Sequence, residues 1–136
     1  MTNQIHRTDV QVRFADSDAL GHINNASFAT YAEMARLQFL STLGESVERM
    51  ILANLVIDFR RQVSVTDAVH VDSWVERLGT SSMAIAHTIF ANGERAADIK
   101  SVVVYFDYAS SKAMPLTEEM RRGLEPFSVD RTRARS

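Results

Sequence analysis

Apolar and polar positions alternate near the start of the chain: Val10, Val12 and Phe14 are separated by Gln11 and Arg13, the period of a strand with one buried face. This strand is expected to end at a polar loop from Asp16 to Asn25. From Ala26 to Leu43 no glycine or proline interrupts, and Phe28, Tyr31, Ala32, Ala35 and Phe39 recur at spacings of three and four, which predicts one long helix. Asn24 or Asn25 suits its N-cap, because a short carboxamide accepts from the unpaired amides of the first turn, and Gly44 suits the left-handed position after its end. Met34, Leu37 and Leu40 widen the apolar surface, so the helix is expected to be covered on several sides.

Beyond the helix the period changes to two. Strands are predicted near Leu52 to Arg60, Val69 to Arg77, Met83 to Ala91 and Arg95 to Tyr108, with Asn92-Gly93 a type I′ hairpin signal between the last two and Gly79 another turn. In the strand from Met83, both the Met83, Ile85, His87, Ile89 row and the Ala84, Ala86, Thr88, Phe90 row look covered, one by the helix and the other by a partner. Thr117 is placed to cap a short helix ending at Gly123. The order strand, helix, four strands predicts a two-layer α+β domain, an antiparallel five-stranded sheet packed on one long helix. Its open sheet edge would be closed by a second copy, so a homodimer is expected, with a tetramer left open.

With 136 residues, 46% hydrophobic and 24% charged, the chain is expected to form a single globular domain, its core over about 7–125 and a flexible basic tail over 126–136. A net charge of −2 argues against nucleic acid as the main partner, and Arg131, Arg133 and Arg135 in the tail are given no function. The absence of cysteine excludes disulfides and thiolate chemistry. There is no basic and then apolar leader and no apolar run of about 20 residues, so a cytoplasmic protein without membrane contact is expected.

The chemistry concentrates between the first strand and the helix. The run Val12-Arg-Phe-Ala-Asp-Ser-Asp-Ala-Leu-Gly-His-Ile-Asn-Asn25, followed by a Tyr-bearing helix containing Glu33-Met34-Ala35-Arg36, resembles the hot-dog-fold acyl-CoA thioesterases of the 4-hydroxybenzoyl-CoA thioesterase type, over about residues 7 to 125. The Ser81-Ser82 turn and the Pro115-Leu116 segment extend the likeness. The resemblance implies a hot-dog fold, an acyl-CoA or acyl-carrier-protein thioester as substrate, and no cofactor beyond the coenzyme A carried by that substrate. It also implies that Asp18 is the catalytic carboxylate, as general base or as nucleophile, and that the main-chain amide at Asn25 polarises the carbonyl.

Thioester hydrolysis needs an activated water or nucleophile and a donor for the developing oxyanion; unpaired amides and the dipole at a helix start supply such a donor. His22 is divided between active-site hydrogen bonding and fixing the loop, because related acyl-carrier-protein thioesterases have asparagine where this chain has Leu20. Asp16 is read as structural, in an Asx-type turn, and Gly21 as allowing a tight backbone path beside the substrate, with Asn24 close by. Asp16, Asp18 and His22 lack a second histidine, and no metal is expected. Glu33 is expected to pair with Arg36 or to meet a partner copy, and His70 and His87 to be surface and interface residues. Tyr31 and Trp74 are read as core, and Phe28 as core that could line the acyl pocket. Arg60 and Arg61, a basic pair at a strand end, and Arg77 near the Gly79 turn are candidates to meet coenzyme A phosphates, the alternative being solvated surface arginines. Two other readings of the same fold are a non-catalytic acyl-CoA-binding domain and an enoyl-CoA hydratase or dehydratase.

Overall fold

The computed structural model describes residues 4–42 and 48–128. Strand β1 (His6–Val10) leads through a 3-10 turn at Phe14–Asp16 to helix α1 (Asn25–Leu40). Strands β2 (Met50–Phe59), β3 (Val69–Leu78), β4 (Ser82–Ala91) and β5 (Glu94–Asp107) follow, then the two-residue β6 (Lys112–Ala113) and the short helix α2 (Glu118–Leu124). The antiparallel sheet runs in the order β1-β3-β4-β5-β2, with β6 pairing the end of β5. Asn92 and Gly93 both take positive φ, 52° and 81°, the type I′ geometry that matches the twist of β4 and β5.

Alternation sends Val71, Val75, Ile85, Ile89, Ile99 and Val103 to the face that covers α1, and each is at most 3% exposed. The helix meets them with Phe28, Tyr31, Ala32, Ala35, Phe39 and Leu40. The core is two apolar clusters with a polar layer between them. Moving along β3 from Val71 to Val75 one crosses Ser73; along β4 from Ile89 to Ile85, His87; along β5 from Ile99 to Val103, Ser101; and along α1 from Ala35 to Phe39, Arg36. His87 is bonded through both ring nitrogens, Nδ1 to Ser73 Oγ at 2.8 Å and Nε2 to Ser101 Oγ at 3.2 Å, and Arg36 Nη1 donates to Ser101 Oγ at 3.3 Å. Buried polar groups are tolerated because they are bonded in this way.

Several expectations are corrected. The first strand is His6–Val10 rather than Val10–Phe14: Phe14 is 87% exposed in a turn whose amide at Arg13 donates to Asp16 Oδ2, and the inward residues of β1 include the polar His6 and buried Thr8. The helix ends at Leu40, and Gly44, its expected terminator, lies outside the described residues, as do Arg131, Arg133 and Arg135. Met34 and Leu37 are 37% and 49% exposed, so within one chain α1 is covered on the sheet side alone. Thr117 does cap α2, accepting from Met120 N at 3.1 Å, but the helix runs through Gly123 to Leu124. Residues 126–128, assigned to a flexible tail, close against the core: Phe127 packs edge-on to Phe39 at 4.9 Å, and Ser128 bridges to Val75. The sheet has a short sixth strand. His87 is 1% exposed inside the fold rather than at a surface or interface, while His70 stacks on Phe90 at 4.9 Å. No helix of the described residues is long and apolar enough to cross a membrane.

Candidate active site

The loop between β1 and α1 is held by two aspartates with opposite duties. Asp16 is 4% exposed and spends its whole carboxylate on structure: Oδ2 accepts from the Arg13 amide at 3.0 Å and the Tyr31 hydroxyl at 2.8 Å, and Oδ1 accepts from Arg13 Nε and Nη2 at 3.2 and 2.8 Å. Burial pushes the Asp16 carboxyl up, and the bonds from Arg13 and Tyr31 outweigh it, leaving it below the usual carboxylate range. Tyr31 is pushed up by burial and by its bond to that carboxylate, so it stays a donor. The Asp16 carbonyl accepts from Asn24 N at 2.8 Å and Ser27 Oγ at 3.2 Å, which ties the loop to the helix start. The structural role read for Asp16 holds, but not as an Asx turn: its carboxylate reaches back to Arg13 and across to Tyr31, and it is Asp18 that bonds the amide two residues on.

Asp18 is exposed, and only one of its oxygens is engaged among the described residues. Oδ1 accepts from Leu20 N at 2.8 Å and His22 N at 3.1 Å, while the Asp18 amide donates to the His22 carbonyl at 2.7 Å. This small closed turn needs a left-handed residue, and Gly21 supplies it at φ 81°. The carboxylate is thereby oriented with Oδ2 left unbonded. His22 meets Asp18 through its backbone and makes no side-chain bond to it; its Nδ1 is buried without a hydrogen-bond partner among the described residues.

At the helix start Asn24 is the N-cap, with φ −63° and ψ 141°, and its Oδ1 accepts from Ala26 N at 2.9 Å. Ser27 N donates to the Asn24 carbonyl at 2.9 Å. Asn25 N is the amide left over: it has no partner among the described residues, at the end of α1 where the dipole is positive.

A cleft of about 430 Å³ brings together Asp18, His22, Asn24, Asn25, Phe28, Arg60 and Arg61. Gly21 does not line it but shapes the turn, and Arg77 is not among its residues. Arg60 and Arg61 reach the rim at the end of β2, each already held by a carboxylate: Arg60 Nε by Asp98 at 2.9 Å, and Arg61 by Glu94. Glu33 attracts Arg36 through charge without a direct ion pair. Among the described residues no group of three or more His, Cys, Asp or Glu side chains could hold a metal ion.

Ile23, Phe59 and Gln62 also line the cleft, and none was singled out from the sequence. Phe59 was within reach, since the alternation Leu55, Ile57, Phe59 carries it to the helix face of β2. There its ring meets Phe28 edge-on, with centroids 5.1 Å apart.

A single long helix against one face of a twisted antiparallel sheet, with a cleft at the helix start, is the hot-dog fold. The family model of the thioesterase-like superfamily matches residues 12–124, and the chain belongs to that superfamily, an enzyme of the thioester-hydrolase class. It is 27% identical over 128 residues to the long-chain acyl-CoA thioesterase FadM of Escherichia coli, covering 88% of this chain and 96% of that one. Among solved structures it is similar to a Thermus thermophilus thioesterase complexed with coenzyme A and zinc, 33% identical, with a TM-score of 0.83 and coverage of 89% and 92%. It is also similar to a predicted thioesterase of Bacillus stearothermophilus, 25% identical, with a TM-score of 0.87 and coverage of 93% and 98%.

Proposed function

We propose that this protein hydrolyses acyl-CoA thioesters, with Asp18 as the catalytic carboxylate and the Asn25 amide as the donor to the carbonyl oxygen. The observation that carries the reading is the pairing, in one cleft, of a carboxylate oriented through one oxygen with the Asn25 amide at the helix start, which has no partner among the described residues. The Thermus thermophilus relative complexed with coenzyme A supports the substrate class.

In the reaction so proposed, the thioester carbonyl docks on Asn25 N–H, and the amide strengthens its hold as charge moves to oxygen. Asp18 takes a proton from the attacking water, the carbon–sulfur bond breaks, and that proton passes to the departing thiolate. Attack by Asp18 itself would form an anhydride that water then opens, and the same two groups would serve. His22 fixes the turn that orients Asp18, through its backbone. Arg60 and Arg61 offer phosphate contacts at the rim only by sharing or leaving Asp98 and Glu94. The functional unit proposed is a homodimer: β2 is a sheet edge with Leu52 and Val56 at 40% and 48% exposure, and Met34 and Leu37 lie open on α1.

A thiol-release assay over short, long, branched and aromatic acyl-CoAs tests the reading. Turnover of at least one class supports it. Stabilisation by acyl-CoA without thiol release would point to a binding domain instead, and loss of enoyl absorbance without thiol release to a hydratase.

A further inference from the structure

We propose that Phe59 is the residue that sets how long an acyl chain the cleft accepts, acting as a movable end wall seated on Phe28. This deepens the thioesterase reading and rests on it. The Asn25 amide fixes where the acyl chain starts in the proposed reaction. Phe28 follows Asn25 by three residues, about 4.5 Å along the helix axis, and helical side chains lean toward the N-terminus, so its ring lies over the turn that carries that amide. An acyl chain running from the carbonyl along α1 therefore meets the Phe28 ring, and Phe59 against it, within its first few carbons.

Phe28 and Phe59 differ in how firmly they are held. Phe28 is 2% exposed and packed in the apolar cluster with Tyr31, Leu55 and Ile57, so it is a fixed part of the core. Phe59 is the last residue of an edge strand, 47% exposed, and its principal ring contact is the edge-on one to Phe28, with planes at 64°. It pairs with Ala97, whose small side chain leaves the space beneath the ring to Phe28. The ring can be shortened or enlarged without opening the core. Phe59, Arg60 and Arg61 line the same cleft at the end of β2.

The test compares wild type with Phe59→Ala, Phe59→Leu and Phe59→Trp on straight-chain acyl-CoAs of increasing length. In parallel, a matching series of non-hydrolysable acyl-CoA thioethers is read by thermal shift. Phe59→Ala should move the length cut-off to chains about four carbons longer, each newly admitted methylene raising kcat/KM by up to about fourfold; Phe59→Leu should move it less, and Phe59→Trp should move it to shorter chains. An identical cut-off in all four proteins overturns the inference. If wild type releases no thiol from any substrate, the catalytic reading fails on its own. The thioether series then still decides the wall, because a cut-off that shifts with Phe59 upholds it and one that stays put overturns it.

Discussion

Asn24 and Asn25 are neighbours of the same chemistry with different work. The Asn24 side chain caps α1, whereas at Asn25 the amide of interest belongs to the main chain. Asn24→Ala is therefore expected to cost about 1 kcal/mol of stability, the usual worth of an N-cap, and urea unfolding measures it. Asn25→Ala should keep stability and retain kcat/KM within about threefold, since losses from a catalytic donor or base run to a hundredfold or more; a hundredfold drop would assign the donor to the side chain. The same division separates the aspartates, and here the sequence was informative. Asp16 two residues before Asp18 reads as structural, and the structure gives its carboxylate four bonds, though to Arg13 and Tyr31 rather than in the expected Asx turn, which Asp18 makes instead. The Asn25 amide came from the family resemblance and not from the residues themselves, because which amide remains free depends on how Asn24 and Ser27 close the first turn.

At the scale of elements, the polar layer through α1, β3, β4 and β5 is the part least visible in the sequence. Period two did put His87 in the row of Met83, Ile85 and Ile89, but its partners Ser73 and Ser101 each lie 14 residues away, on strands whose register the pattern does not supply. Burial, with the Arg36 charge nearby, lowers the His87 pKa from 6.5 to about 3, so the imidazole is neutral in the fold. The unfolded chain takes up a proton below its ordinary range that the folded chain refuses. Stability from this group is complete above about pH 6.5 and falls as pH drops toward 3, by up to about 1.4 kcal/mol per pH unit. His6, also lowered by burial, adds in the same sense. Between about pH 6 and pH 4.5, above the carboxylate range, the slope of unfolding free energy against pH should be shallower in His87→Gln than in wild type. An equal slope would place the proton uptake elsewhere. The first strand escaped the sequence for a related reason: its inward residues His6 and Thr8 are polar, so the apolar alternation begins only where the strand ends.

For the whole molecule, five of the nine large apolar side chains exposed among the described residues lie on β2 or α1, namely Leu52, Val56, Phe59, Met34 and Leu37, while Ile5, Phe14, Leu20 and Tyr108 lie elsewhere. A second copy pairing at β2 would cover the edge that exposes Leu52 and Val56. Sedimentation at micromolar concentration should therefore give a dimer, and Val56→Lys, which places a charge at that edge, should shift it toward monomer; a wild-type monomer would contradict the proposed assembly. The fold class was legible because one uninterrupted helical period is followed by strand periods with an Asn-Gly turn. The surfaces left for a partner were not, since Met34 and Leu37 read from sequence as covered helix positions.

In the proposed reaction the free oxygen of Asp18 does the chemistry. Asp18→Asn preserves an acceptor for the Leu20 and His22 amides, so the turn and the stability should hold, with urea unfolding within about 0.5 kcal/mol of wild type. The kcat/KM for the best acyl-CoA should fall by about a hundredfold or more. A folded Asp18→Asn protein that hydrolyses acyl-CoA as well as wild type would contradict the account.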